Sequence, residues 1–426
     1  MSFVVASLAD RIDQALAMGA NHEALQLAAD AVQQQPQDPA LQHRLGIVLL
    51  RLGRAHEAFS HFSNAIRLNP LAIDTRIALA NAYNLMKDGW SAAAWLSDAC
   101  RVAPHVPELW LQLVQLLHAN KREAEIEPAL RTALAANPRS KAVMEALAEY
   151  YLNRKRYAEG VEIYRELAAL DPADAKTFLH FGFCLEHVHQ LEEAVRRYRE
   201  ALALDPDFLE AHVDLSGVLW RLADFDGALR HGEAAVAINP SHPFAVRILG
   251  TALLHLNRLE ESEAALRRSL AIREDFPIAI VDLALLLLLS GRFEEGWQVY
   301  ERRWTDTDRM TRPAFFRPEL EWQGPRKQPV AGKRIVIYAE QGLGDVVNFI
   351  RYAKVLQADG ATVYCVIQPE LVPLVESIPG LIGLKPNLNI EADYHVALLE
   401  VPLHYRTDAT NVPVREPYLH APREKV

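Results

Sequence analysis

The chain is poor in cysteine, has no basic run and carries no long apolar stretch. Each shortage removes a class of function. Cys100, Cys184 and Cys365 lie far apart and in no metal-like spacing, so they read as buried or free thiols of a reducing compartment. With 45 Lys and Arg against 55 Asp and Glu, the formal net charge is −10. A dedicated nucleic-acid binder shows a basic stripe, so no nucleic acid is expected as a partner. The longest greasy run, Leu283 to Leu289, is far shorter than a bilayer span and fits a buried helix. The amino terminus lacks a charged n-region and meets Asp10 and Arg11 too early for a signal peptide. The expectation is a cytoplasmic protein with no membrane span.

What the chain does have is a repeat. Pro36, Pro70, Pro104, Pro138, Pro172, Pro206 and Pro240 follow one another every 34 residues, and Glu274 holds the next place. Leu191 to Pro206 shows the unit plainly: a helix with small residues at Ala194 and Ala201, an aromatic at Tyr198, and a proline stop. The eighth place of a unit is small in Gly46, Ala80, Ala148, Gly182, Ser216, Gly250 and Ala284. The twenty-fourth is aromatic in Phe62, Tyr164, Tyr198 and Tyr300. Small side chains let helix axes approach, and the aromatic is expected to plug the gap to the next hairpin. A 34-residue period of this kind resembles the tetratricopeptide repeat. The resemblance covers roughly residues 5–304. It implies a mainly α chain, an α-solenoid of about eight to nine helical hairpins. Three departures stand out. Pro128 falls inside a second helix and is expected to kink or shorten it. Ser262 and Ser269 occupy usual alanine places, and Phe293 to Trp304 ends in aromatics rather than a proline turn.

Such solenoids bind on the inner face of their first helices. Read at the ninth and twelfth places, that face offers Asn81, Asn84, Gln115, His118, Glu149 and Glu186, then Trp220, Phe244, Leu254 and Leu285. A groove polar in the middle and apolar later suits an extended peptide or protein partner. Protein O-GlcNAc transferases join similar repeats to a transferase and line their groove with asparagines; only Asn81 and Asn84 match that pattern. His180, His187 and His189 have no cysteine or carboxylate at ligand spacing, so no metal is expected.

Past Thr305 the helical period stops. Arg312, Pro313, Phe315, Phe316, Arg317, Pro318, Trp322 and Pro325 read as an extended connector anchored by aromatics. Strands are expected over Arg334–Tyr338, Ala361–Ile367, Leu381–Leu384 and Tyr394–Leu398, with helices between, hence a small α/β Rossmann-like half domain with a parallel sheet. The expected domains are 1–304, 305–332 and 333–426. Gly342-Leu343-Gly344 after the first strand invites a dinucleotide reading, but Val347 holds the third glycine place. Asp345 is either a helix cap or, at the carboxyl edge of the sheet, a carboxylate able to take a proton from a hydroxyl.

Glu340-Gln341-Gly342-Leu343-Gly344-Asp345, then Phe349, Arg351, Tyr352, Gln368, Pro369, Pro379, Gly380, Pro417, Tyr418 and Leu419, resemble glycosyltransferase family 9, the heptosyltransferase-like enzymes, over about Trp322 to Pro422. The resemblance implies the N-terminal, acceptor half of a two-Rossmann GT-B transferase. It implies Asp345 as catalytic base and Gly342 and Gly344 as loop glycines. Glu340, Gln341 and Arg351 match motif positions. The donor, a nucleotide sugar, belongs to a second Rossmann half, and the chain ends at Val426, about where that half would begin. No cofactor is expected on this chain, and it is expected not to turn over alone. The acceptor would be a protein or glycan, flagellin or another surface protein by resemblance. The competing expectation is a non-catalytic scaffold whose Rossmann-like half caps the solenoid.

Overall fold

The computed structural model describes residues 7–305, 312–340, 342–384, 391–413 and 417–420. Its period is built from a helix of 13 residues, a tight turn and a helix of 14 residues, as in Pro39–Arg51 and Ala55–Leu68. Two compact units divide the chain, Met1–Leu204 and Asp205–Val426. Among the described residues the first holds six hairpins: Leu8–Ala17 with Asn21–Gln34, Pro39–Arg51 with Ala55–Leu68, Ile73–Leu85 with Gly89–Val102, Pro107–Ala119 with Ile126–Ala136, Lys141–Asn153 with Tyr157–Leu170, and Ala175–His187 with Leu191–Leu204. The second holds three more: Leu209–Arg221 with Phe225–Ile238, Pro243–His255 with Leu259–Ile272, and Pro277–Leu289 with Phe293–Glu301. The chain is mainly helical, as expected, with the sheet near its carboxyl end.

One backbone device makes every hairpin. Gly19, Gly53, Lys87, Lys121, Lys155, His189, Ala223, Asn257 and Gly291 recur at the 34-residue interval, and all have φ between 56° and 76°. Each ends a first helix in the left-handed conformation. At the fifth hairpin the Lys155 N–H donates to the Leu152 carbonyl and the Arg156 N–H to the Tyr151 carbonyl, a Schellman closure. In seven of the nine hairpins the next residue starts the second helix in one of two ways. Asp88 and Asp224 cap it, accepting from the N–H groups of Ser91 and Gly227. Arg54, Arg122, Arg156, Arg258 and Arg292 cap nothing and instead clasp Glu57, Glu125, Glu159, Glu261 and Glu295 in the first turn.

The small eighth residue meets the twenty-fourth of its own hairpin. A Cβ on Gly46 would lie 2.5 Å from the Phe62 ring, and one on Gly182 2.7 Å from Tyr198. The aromatic therefore fills the space inside its own helix pair first, rather than only the gap to the next. Ser262 and Ser269, at alanine places, are fully buried, and their hydroxyls donate to the carbonyls of Gly250 (2.7 Å) and Pro243 (2.9 Å). Ser216 does the same to Ala228. Pro128 shortens its helix as expected: a 3-10 turn at Glu123–Glu125 precedes an 11-residue helix, and the proline falls in the first turn, where its missing N–H is not needed.

The sheet comprises β1 (Arg334–Tyr338), β2 (Thr362–Val366), β3 (Ile382–Leu384) and β4 (Tyr394–Ala397), all parallel, in the order β3-β2-β1-β4. Ile335 and Ile337 enter one core with Val346, Leu356, Val375 and Trp322. Val336 and Tyr338 enter the other, which Trp304, Phe315 and Phe316 cover in place of helices. The connector runs along the β4 edge, where the Trp322 N–H donates to the His395 carbonyl at 2.8 Å. The helix expected between the first two strands is broken at Ile350 into Leu343–Phe349 and Arg351–Ala358.

Two substitutions check these packing arguments by thermal unfolding. Gly182→Ala drives a methyl into the Tyr198 ring and should destabilise by about 1–3 kcal/mol. Ala223→Gly relieves a left-handed alanine at φ 61° and should stabilise by about 1 kcal/mol.

Candidate functional site

The groove residues of the first unit lie on the first helices of successive hairpins. Asn81 and Asn84 are exposed on Ile73–Leu85, Gln115 and His118 on Pro107–Ala119, and Glu149 on Lys141–Asn153. His118 Nδ1 is 2.8 Å from the Glu123 carboxylate, so it is partly committed. Glu186 is half-buried and accepts from the Tyr198 hydroxyl at 3.1 Å. Glu149 joins Glu145, Asn153, Tyr164, Lys176 and His180 around a cavity of about 420 Å³. Sequence reading missed Glu145 and His180 as lining residues, because it sampled only two places per helix. It also missed a cavity of about 600 Å³ on the first hairpins, where His43, Arg44 and Asp74 line the wall. Trp220 belongs to the second unit. It is half-buried, its ring 5.2 Å from His255, which stacks on Phe225 at 4.9 Å. Trp220 is thus largely packing within its hairpins. His187 packs on Tyr157 and Phe183, His180 on Tyr164, and His189 is a turn residue. No group of three His, Cys, Asp or Glu gathers as a metal site among the described residues. No helix among them is long and apolar enough to cross a membrane.

The second candidate lies beyond β1. Asp345 is not the helix cap: Gly342 holds that place without a side-chain bond, and Asp345 sits in the first turn, half-buried. Gly342 and Gly344 are exposed, and a Cβ on either would meet nothing within 4 Å. Gln341 lies outside the described residues. Glu340 turns inward instead, its side chain 3% exposed, and accepts from Arg303 Nε at 2.7 Å. Arg351 donates to the Asn348 carbonyl (2.7 Å) and to the Tyr418 hydroxyl (3.0 Å), and Tyr418 donates to the Val347 carbonyl (2.6 Å). The motif residues Arg351 and Tyr418 thus brace the helix that carries Asp345. Asp345 and Glu340 are close in sequence but differ in burial, one half-buried and one almost wholly enclosed.

Burial pushes the Glu340 carboxyl up to about 7, against the pull of Arg303. A carboxyl held above its ordinary 4.5 contributes stability that is full below that value and is lost as pH rises through about 7. The stability difference between wild type and Glu340→Gln should therefore move against the wild type across that window in denaturant titrations at stepped pH.

The family model for the tetratricopeptide repeat matches residues 10–73, 127–175, 188–243 and 218–277. No curated protein sequence matches the chain. Among solved structures, the MamA protein is 17% identical, with a TM-score of 0.38, and the match covers 40% of this chain and 92% of that one. Naa15/Naa10 bound to HypK-THB is 16% identical, with a TM-score of 0.48, over 71% of this chain and 49% of that one. The APC/C hetero-tetramer Cut9–Hcn1 is 14% identical, with a TM-score of 0.37, over 66% and 55%. The helical hairpins within the segments that the family model matches are tetratricopeptide repeats.

Proposed function

We propose that the repeats bind a protein partner and that the sheet is the acceptor-side half of a glycosyltransferase, with Asp345 as its base. The observation that carries the second part is the idleness of two glycines. Neither Gly342 nor Gly344 has a positive φ, and neither is crowded. Gly344 lies within the helix Leu343–Phe349, where glycine costs up to about 1 kcal/mol relative to alanine. A residue the fold does not need is what close approach of an outside molecule to the backbone calls for. Asp345 stands beside them with its carboxylate partly in solvent.

In the transfer, the acceptor hydroxyl oxygen bonds to the anomeric carbon of a nucleotide sugar as the bond to the diphosphate breaks. The nucleoside diphosphate leaves with that electron pair, and Asp345 takes the hydroxyl proton. The donor is held by the second Rossmann-like half that the resemblance implies. A surface-protein acceptor, flagellin included, rests on resemblance alone. The repeat surface contributes amides at Asn81, Asn84 and Gln115, groups suited to a peptide backbone. A second reading, a scaffold capped by the sheet, draws on Trp297 and Tyr300 of the last repeat helix packing on Leu399.

The two readings part in one pair of variants. Gly344→Ala should raise thermal stability by up to about 1 kcal/mol while weakening capture on an array of glycans and glycopeptides. Asp345→Asn, assayed with a donor-binding half supplied, should keep its fold and lose roughly a hundredfold or more in transfer rate. Unchanged capture by Gly344→Ala, together with no transfer by the wild type when the donor-binding half is supplied, leaves the scaffold.

A further inference from the structure

The order β3-β2-β1-β4 reverses between β1 and β4. In open α/β sheets the ligand takes the crevice outside the carboxyl ends of the strands at such a reversal. Here the residues just past the two strands put two carboxylates into that place. The side chains of Glu340 and Glu400 are 3% and 5% exposed. Two buried carboxylates without a cation are untenable in a low dielectric. The chain supplies the cations itself, Arg303 between the two carboxylates and Arg312 at 3.9 Å from Glu400.

Arg303 comes from the 3-10 turn Arg302–Thr305, directly after the last repeat helix, and is 0% exposed. Its Nη2 lies 2.5 Å from Glu340 and 3.3 Å from Glu400, and its Nη1 donates to the Tyr300 carbonyl at 3.0 Å. The guanidinium sits 4.3 Å from the ring centroids of both Tyr300 and Trp304. Trp304 Nε1 donates to Glu400 at 2.5 Å, and Leu399 N–H to Glu340 at 3.4 Å. A planar fork of donors between two carboxylates, flanked by aromatic rings, is a site shaped for a guanidinium rather than for a point charge.

We propose that Arg303 is a built-in ligand, a guanidinium plug that closes the switch-point crevice and ties the segment after β1 to the end of the repeats. The inference stands apart from the transfer reading, since it concerns the inner side of that segment and not Asp345. It makes the crevice closed to phosphates and other anions, which would meet Glu340 and Glu400. It also makes the placement of Gly342–Phe349 depend on the last repeat.

Hydrogen–deuterium exchange on the whole chain, followed by mass spectrometry, tests it. In Arg303→Ala, peptides covering Gly342–Phe349 and Leu398–His404 should exchange faster by roughly a hundredfold, the protection that one lost partner of a buried ion pair removes. β1 and β4 should keep theirs. Methylguanidinium should restore the slow exchange saturably, and methylammonium at the same concentration should not. Exchange like that of the wild type, or equal rescue by both cations, overturns the plug. Should Arg303→Ala fail to fold, Arg303→Lys carries the test, because an ammonium keeps the charge but not the Nε, Nη1 and Nη2 donors that together reach Glu340, the Tyr300 carbonyl and Glu400. The same local loosening is expected there, and wild-type exchange overturns the proposal.

Discussion

A helix with one apolar face needs a partner within reach, and here the partner is the next helix, returned by a single left-handed residue. That constraint fixes most of the repeat architecture. It sets the tight turn, and the tight turn brings the eighth residue of a hairpin under the twenty-fourth. Gly46 and Gly182 then have to be small because Phe62 and Tyr198 lie where a Cβ would go. The buried serines obey the same geometry, each donating a hydrogen bond from its hydroxyl to a carbonyl within its own hairpin. Polar atoms at alanine places are tolerated because a backbone acceptor is already within reach.

The sheet answers a different constraint. A parallel sheet must cover both faces, and only one is covered by the helices that come after β1 and β2. The other receives Phe315, Phe316 and Trp304. The proline- and arginine-rich stretch is therefore a covering layer for the sheet as much as a link. Its prolines open turns, at Pro313 and in the 3-10 turn Pro318–Leu320, and its aromatics supply the area that a crossover helix would otherwise bury.

Much of this was legible in the sequence. The proline register gives the hairpin period, and the runs of β-branched residues give the strands to within a residue or two. The turn register was harder to see, because glycine marks it only at Gly19, Gly53 and Gly291 while Lys, His, Ala and Asn fill the other six places. Reading those nine positions in register would have found it. The helix break at Ile350 has no proline or glycine to announce it. Asp345 and its glycines stand out as a motif, yet the role of Glu340 could not be read. Its partners Arg303 and Glu400 are 37 and 60 residues away in opposite directions, and an arginine closing an amphipathic helix looks like a surface residue until the fold encloses it.

Five of the second helices begin on an arginine–glutamate clasp where two others begin on an aspartate cap. The cap is a hydrogen bond that the carboxylate accepts from a backbone N–H, less dependent on dissolved ions than a pair of opposite charges. The clasps stand at the surface, where dissolved ions weaken such pairs and where warming lowers the cost of stripping water from charge. Fraying at those helix starts is thereby handed to the surrounding electrolyte, while the capped hairpins keep a fixed hold. Two hairpins of like sequence can thus differ in how firmly they start, according to one side chain and the salt around it.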